Sequence, residues 1–146
     1  MRFTIDTSVF ISALSETEED HDVSRAFFQA LVGKPVIVIL PALIYPEVCG
    51  AVSRLSQNPA LASDSLRALD LLPNLNVIPL DEHLARKAAV VAREGGMKGS
   101  DAVFVAVAET FDSVLISLDR QQRLRSPSAV RALTPEDALS EVAGLP

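Results

Sequence analysis

The sequence predicts an α/β fold: a three-layer α/β/α sandwich with a central parallel sheet of four to five strands. Three observations carry this. Apolar runs at residues 36–40 (Val-Ile-Val-Ile-Leu) and 113–118 (Ser-Val-Leu-Ile-Ser-Leu) suit strands buried on both faces, as a parallel sheet requires. Between the strands lie segments whose apolar residues recur at helical spacing, and such alternation implies a sheet covered on both sides. Finally, 146 residues with 49% hydrophobic content can close a core without staples and point to one domain over residues 1–146.

The elements follow in order. Arg2-Phe3-Thr4-Ile5 reads as a short strand, stopped by Asp6-Thr7-Ser8, a run of helix-capping residues. Val23, Ala26, Phe27, Ala30 and Leu31 mark an amphipathic helix that Gly33 closes. After the strand at 36–40, a helix runs from Pro41 to about Ser56, with Pro46 threatening a kink unless it lies in the first turn. Leu61, Ser65, Leu66 and Leu69 mark a second helix, Pro59 to Leu72, and residues 75–80 read as a strand. Leu84, Ala88, Val91 and Ala92 give a helix ending at Gly95-Gly96. Residues 102–108 (Ala-Val-Phe-Val-Ala-Val-Ala) fit helix or strand by periodicity; the alanines and the Gly99-Ser100-Asp101 start favour a buried helix capped by Ser100. After the strand at 113–118, a short helix follows Asp119. Residues 129–133 suit an edge strand, and Thr134-Pro135-Glu136 opens a terminal helix with Pro at its first position.

Composition excludes several classes. One Cys rules out a disulfide framework and a Cys-based zinc cage, and Cys49 reads as a small buried hydrophobe. His21 and His83 stand in polar surroundings, which argues against a His-based metal site. No apolar stretch is long enough to span a membrane, and residues 1–14 lack the parts of a signal peptide, so a soluble, cytoplasmic protein is expected. The formal charge of −6 excludes a basic coat that holds nucleic acid by phosphate neutralisation alone. The charge is uneven: residues 1–85 carry 5 basic and 11 acidic side chains, residues 86–131 carry 8 and 5.

Four acids stand out. Asp6 and Asp119 sit at the ends of expected strands, where open α/β sheets form their sites. Glu47 lies in the helix after the second strand, and Asp101 opens the buried helix. Each is embedded in apolar sequence, and a buried carboxylate without a partner is costly. Singly, Asp6 and Asp119 could be helix caps, Asp101 could serve a helix dipole and Glu47 could be a solvated helix residue. Together, with few basic neighbours in sequence, they suit a divalent cation with a taste for hard oxygen, Mg²⁺ or Mn²⁺.

Five segments in order now resemble the PIN-domain nucleases, and within them the VapC-type toxins of toxin–antitoxin pairs. They are Ile5-Asp6-Thr7-Ser8-Val9-Phe10, Pro46-Glu47-Val48, Gly99-Ser100-Asp101-Ala102, Leu115-Ile116-Ser117-Leu118-Asp119-Arg120 and Leu133-Thr134-Pro135-Glu136. The resemblance implies a PIN-like sandwich with an acidic pocket at the carboxyl edge of its sheet. It implies that Asp6, Glu47, Asp101 and Asp119 bind catalytic Mg²⁺ or Mn²⁺, that Ser8 shapes the pocket, and that Ser117 keeps the hydroxyl of a position that is often Thr. Pro46 beside Glu47 departs from the pattern and bears on where that carboxylate points. Glu109, two turns beyond Asp101, is a weaker addition that also suits a solvated helix end.

The expected activity is that of a metal-dependent endoribonuclease, with metal-activated water as nucleophile. Four carboxylates carry −4, which two divalent ions would cancel, although one metal with a nearby Arg would also work. Arg120, Arg123 and Arg125 after Asp119 either steer the RNA backbone or form a solvated helix face. The resemblance also implies a small antitoxin partner, and a homodimer through the apolar helices near residues 23–31 and 61–72 is plausible. The alternative is a PIN-like module that binds RNA or antitoxin without cutting. A haloacid-dehalogenase-type phosphatase would want an Asp two residues after Asp6, where Ser8 stands. A receiver domain would want a Lys ending its last strand, and no Lys follows Lys98.

Overall fold

A computed structural model describes all residues, Met1–Pro146. Five strands form one sheet: β1 (Arg2–Ile5), β2 (Ile37–Pro41), β3 (Leu75–Ile78), β4 (Val114–Ile116) and β5 (Ala132–Leu133). Every neighbouring pair is parallel, in the order β3-β2-β1-β4-β5. Eight helices connect and cover them: α1 (Thr7–Leu14), α2 (His21–Leu31), α3 (Ile44–Ser56), α4 (Pro59–Asp70), α5 (Glu82–Gly95), α6 (Gly99–Thr110), α7 (Arg120–Arg125) and α8 (Pro135–Ala143).

The strand order fixes the layers. The chain steps from β1 to β2 to β3 in one direction, then crosses back to β4 beyond β1. Right-handed crossovers put helices from the two directions on opposite faces. On one face, Phe27 of α2 meets Phe3 of β1 edge to face at 5.7 Å, and α2 packs against α1 and α8. On the other, α6 packs over β1, β2 and β4, with α5 beside it. The buried apolar side chains form one cluster of 28 residues that includes members of both faces. The reversal between β1 and β4 makes their carboxyl ends the switch point of the sheet.

Local chemistry explains most boundaries. Asp6 caps α1, Asn58 caps α4, Asp81 caps α5, and Asp119 caps α7, each accepting a backbone N–H. Thr134 and Asp137 form a reciprocal capping box at α8, with Pro135 at its first position. Pro46 is the third residue of α3, so its missing N–H costs no intrahelical bond and no kink follows.

Three expectations need correction. Residues 102–108 are helical and buried throughout, but Ser100 is not their cap. The first turn starts two residues earlier, where the N–H of Ala102 bonds the Lys98 carbonyl at 3.0 Å, so Lys98 is the capping position and lends no side-chain bond. Cys49 is only half-buried. The sheet ladder is also shorter than the apolar runs: β3 stops at Ile78 and β4 spans Val114–Ile116. Beyond Ile116, Ser117 and Asp119 use their side chains to shape the turn into α7.

No helix is long and apolar enough to cross a membrane.

Candidate acidic cleft at the sheet edge

Asp6 follows the last residue of β1, the central strand, and is only 6% exposed. Its N–H donates to the Ile116 carbonyl of β4 at 2.8 Å, which sets it at the switch point. Its Oδ2 accepts the N–H of Ser8 at 2.9 Å, and its Oδ1 accepts the side-chain amide of Gln122 at 3.2 Å. Thr7, next in sequence, donates its hydroxyl to Glu47 Oε2 at 2.6 Å, tying the start of α1 to the first turn of α3.

Asp101 lies in the first turn of α6 and is half-buried. Its carboxylate accepts no hydrogen bond from the protein, whereas its backbone carbonyl accepts one from Gln122 at 3.1 Å. Burial, then the charges of Asp6 and Asp119, push its pKa up from 3.8 to about 6; Glu47 adds to the rise and Lys98 opposes it. All four acids therefore share one electrostatic neighbourhood.

Asp119 caps α7, its Oδ1 accepting the N–H groups of Gln121 at 2.7 Å and Gln122 at 3.1 Å. The two serines brace the same turn. Ser117 Oγ accepts the Asp119 N–H at 3.0 Å, and Ser8 Oγ accepts the Leu118 N–H at 3.2 Å. Both hydroxyls thus orient backbone beside the acids.

Asp6, Thr7, Glu47 and Asp101 line an open cleft of about 420 Å³ together with Arg54. Arg54 lies two turns beyond Glu47 on α3, and its guanidinium folds back over Gly50, where an added Cβ would stand 3.2 Å from Nη1. It makes no ion pair or hydrogen bond, so its donors are free. Asp119 is outside the cleft wall but close enough to act on Asp101. No group of three or more acids, histidines or cysteines has metal-holding geometry in this conformation. Asp6, Glu47 and Asp119 each turn oxygen onto protein donors instead.

The remaining candidates lie elsewhere. Arg123 donates to the Ser117 carbonyl and Arg125 to the Gly96 carbonyl, each at 2.6 Å, while exposed Arg120 has no bonded partner. Glu109 pairs with Lys87 of α5 at 3.0 Å and does not line the cleft. Sequence reasoning missed Thr7, Arg54, Lys98 and Gln122. Arg54 had a legible signal, since position i+7 from Glu47 returns to the same helix face; Gln122 had none.

The family model for the PIN domain matches residues 3–126. Among curated proteins, no sequence matches this chain. Several solved structures share the fold at low identity. VapBC2 from Rickettsia felis, bound to a DNA fragment from its promoter, aligns with TM-score 0.69 and 14% identity over 92% of this chain and 98% of that one. VapC20 from Mycobacterium tuberculosis, a toxin that cleaves the sarcin–ricin loop, aligns with TM-score 0.69 and 18% identity over 90% and 99%. PAE2754 from Pyrobaculum aerophilum aligns with TM-score 0.68 and 20% identity over 97% and 94%.

Proposed function

This chain belongs to the PIN domain family, and from that premise we propose that it is a metal-dependent endoribonuclease, the toxin of a toxin–antitoxin pair, acting as one PIN-like unit over residues 1–146. The observation that carries the reading is the convergence of four acids from distant segments. Asp101, free of protein donors, is raised to about 6 by burial and by Asp6, Asp119 and Glu47. A set of carboxylates that repel one another in a half-buried cleft lacks positive charge. Their oxygens are the hard donors that Mg²⁺ and Mn²⁺ prefer, so the residues fit such an ion.

Asp6, Glu47, Asp101 and Asp119 would hold the metal. When bound, it supplies an activated water and stabilises charge on the scissile phosphate. The protein does the rest. Gln122 and Ser8 fix Asp6, and Ser117 fixes the turn that carries Asp119. Arg54 offers unpaired donors on the cleft wall, and exposed Arg120 offers a further charge for an RNA backbone. Arg123 and Arg125 serve RNA less directly, because their guanidinium groups brace backbone carbonyls.

VapBC complexes among the similar structures support an antitoxin partner. So does the apolar groove between α1, α3 and α4, where Leu14, Leu55 and Leu61 are exposed at 46%, 63% and 49%. The apolar helices α2 and α4 would serve a homodimer, and we place the protein in the cytoplasm.

The test is an RNA cleavage assay with Mg²⁺ or Mn²⁺, comparing the wild type with Asp101→Asn. Cleavage should require the metal and fall at least about a hundredfold in the variant, more than loss of an outer-sphere partner normally costs. Cleavage that persists in excess chelator, or at full rate in the variant, sinks the metal mechanism. RNA binding without cleavage would make the chain a non-catalytic RNA- or antitoxin-binding module.

A further inference from the structure

We propose that Gln122 is the positioning residue of the acidic cleft, its side-chain amide fixing Asp6 against the backbone of Asp101 while its own N–H binds Asp119. The proposal rests on the metal-cleft reading and deepens it. Gln122 is 1% exposed, a buried glutamine in a six-residue helix whose other residues are all partly or fully exposed. Its backbone N–H donates to Asp119 Oδ1 at 3.1 Å. Its Nε2 donates to Asp6 Oδ1 at 3.2 Å and to the Asp101 carbonyl at 3.1 Å. A single residue of α7 thereby touches the end of β1, the first turn of α6 and the cap of α7 itself.

The direction of the amide is forced. An ionised carboxylate and a carbonyl both accept and neither donates. Turning the amide over would put Oε1 against two acceptors. The observed orientation leaves Oε1 buried without a donor. A half-satisfied buried amide stabilises a fold less well than an apolar side chain of the same shape. Stability alone therefore does not account for glutamine at this position, whereas the two donated bonds do. They hold the Asp6 carboxylate in one rotamer and fix the Asp101 backbone beside it. Carboxylates that bind metal are commonly held this way by outer partners.

Gln122→Met is the informative variant, because it keeps the length and bulk of the side chain but removes both the donor and the orphaned acceptor. Its thermal midpoint should fall only modestly, because the loss of a donor to Asp6 and Asp101 is partly offset by removal of the orphaned Oε1. Its Mn²⁺ affinity, measured by calorimetry, should fall about 10–100-fold. At saturating Mn²⁺, kcat for RNA cleavage should fall while KM for RNA hardly moves. In a metal-free crystal structure of the variant, the Asp6 carboxylate should leave its wild-type rotamer. Wild-type Mn²⁺ affinity in Gln122→Met overturns the proposal, and so does an Asp6 that has not moved. A wild-type protein that binds no Mn²⁺ overturns the metal reading separately; the position of Asp6 in the crystal then decides the role of Gln122 by itself. If Gln122→Met does not fold, Gln122→Asn, too short by one methylene to reach Asp6, is judged by the same measures.

Discussion

The end of β1 and the start of α6 each deliver a carboxylate to the same cleft, and the fold treats the two in opposite ways. Asp6 is the more deeply buried, yet both of its oxygens meet donors, from Ser8 and Gln122. Asp101 is more exposed and receives no donor at all; its burial and the field of three other acids raise its pKa, with Lys98 opposing them. Burial alone would make Asp6 the strained group. Hydrogen bonding offsets that cost, because the Ser8 and Gln122 donors replace the water that burial removes. Asp6 belongs to the frame of the protein, whereas Asp101 is where positive charge is missing.

The widest gap between the two regions should appear when each acid is removed. Asp6→Ala and Asp101→Ala should both lose RNA cleavage by at least about a hundredfold, since each removes a proposed ligand. Their metal-free stabilities should diverge. Asp6→Ala loses the cap of α1 and a partner of Gln122, costing about 0.5–2 kcal/mol for the cap alone. Asp101→Ala relieves repulsion and should match or exceed the wild type in thermal midpoint at neutral pH. An Asp101→Ala protein as unstable as Asp6→Ala would erase the contrast.

A smaller effect follows from pH. The folded pKa of Asp101, about 6, lies above its ordinary 3.8, so the folded chain holds this proton more tightly than the unfolded chain. The stability it contributes is fully present below about pH 3.8 and is lost as pH rises through about 6. Asp101→Asn should therefore gain on the wild type across that window in metal-free melts. Mn²⁺ must displace the same proton, so its affinity for the wild type should strengthen over the same range. A stability difference that stays flat with pH would remove Asp101 from its special place.

The smallest expected effect concerns the cation on the cleft wall. Arg54→Ala should raise KM for RNA and lower the slope of log KM against log salt by about 0.7, the share of one phosphate contact on a single strand. Arg125→Ala should lower that slope less, because Arg125 does not line the cleft and one of its nitrogens donates to the Gly96 carbonyl.

Much of the fold was legible because β2 and β4 lie in continuous apolar runs and α1, α4, α5, α7 and α8 begin at capping side chains. Asp6 and Asp119 were legible twice over, as caps and as candidate ligands, and the structure gives both the capping bonds. The start of α6 was misread at Ser100, since a capping residue type says nothing about which carbonyl the first turn will use. A charge count also cannot see that backbone carbonyls accept from Arg123 and Arg125, while Arg120 stays without a partner. Gln122 was invisible for a deeper reason. Its partners lie 116 and 21 residues away, and no local periodicity encodes contacts at such range.

The strand order has a consequence for synthesis. The central strand is made first, but its neighbour β4 is made only after β2 and β3. Asp6 waits for more than 110 residues before Gln122 exists to hold it. A chain emerging from the ribosome at about 5–20 residues per second therefore carries its first acid for several seconds before the cleft can close around it. Fragments that stop between Asp101 and Asp119 contain three of the four acids and none of the clamp. Until Gln122 has been made, the Asp6 carboxylate lacks one of its two donors and the cleft stays unassembled.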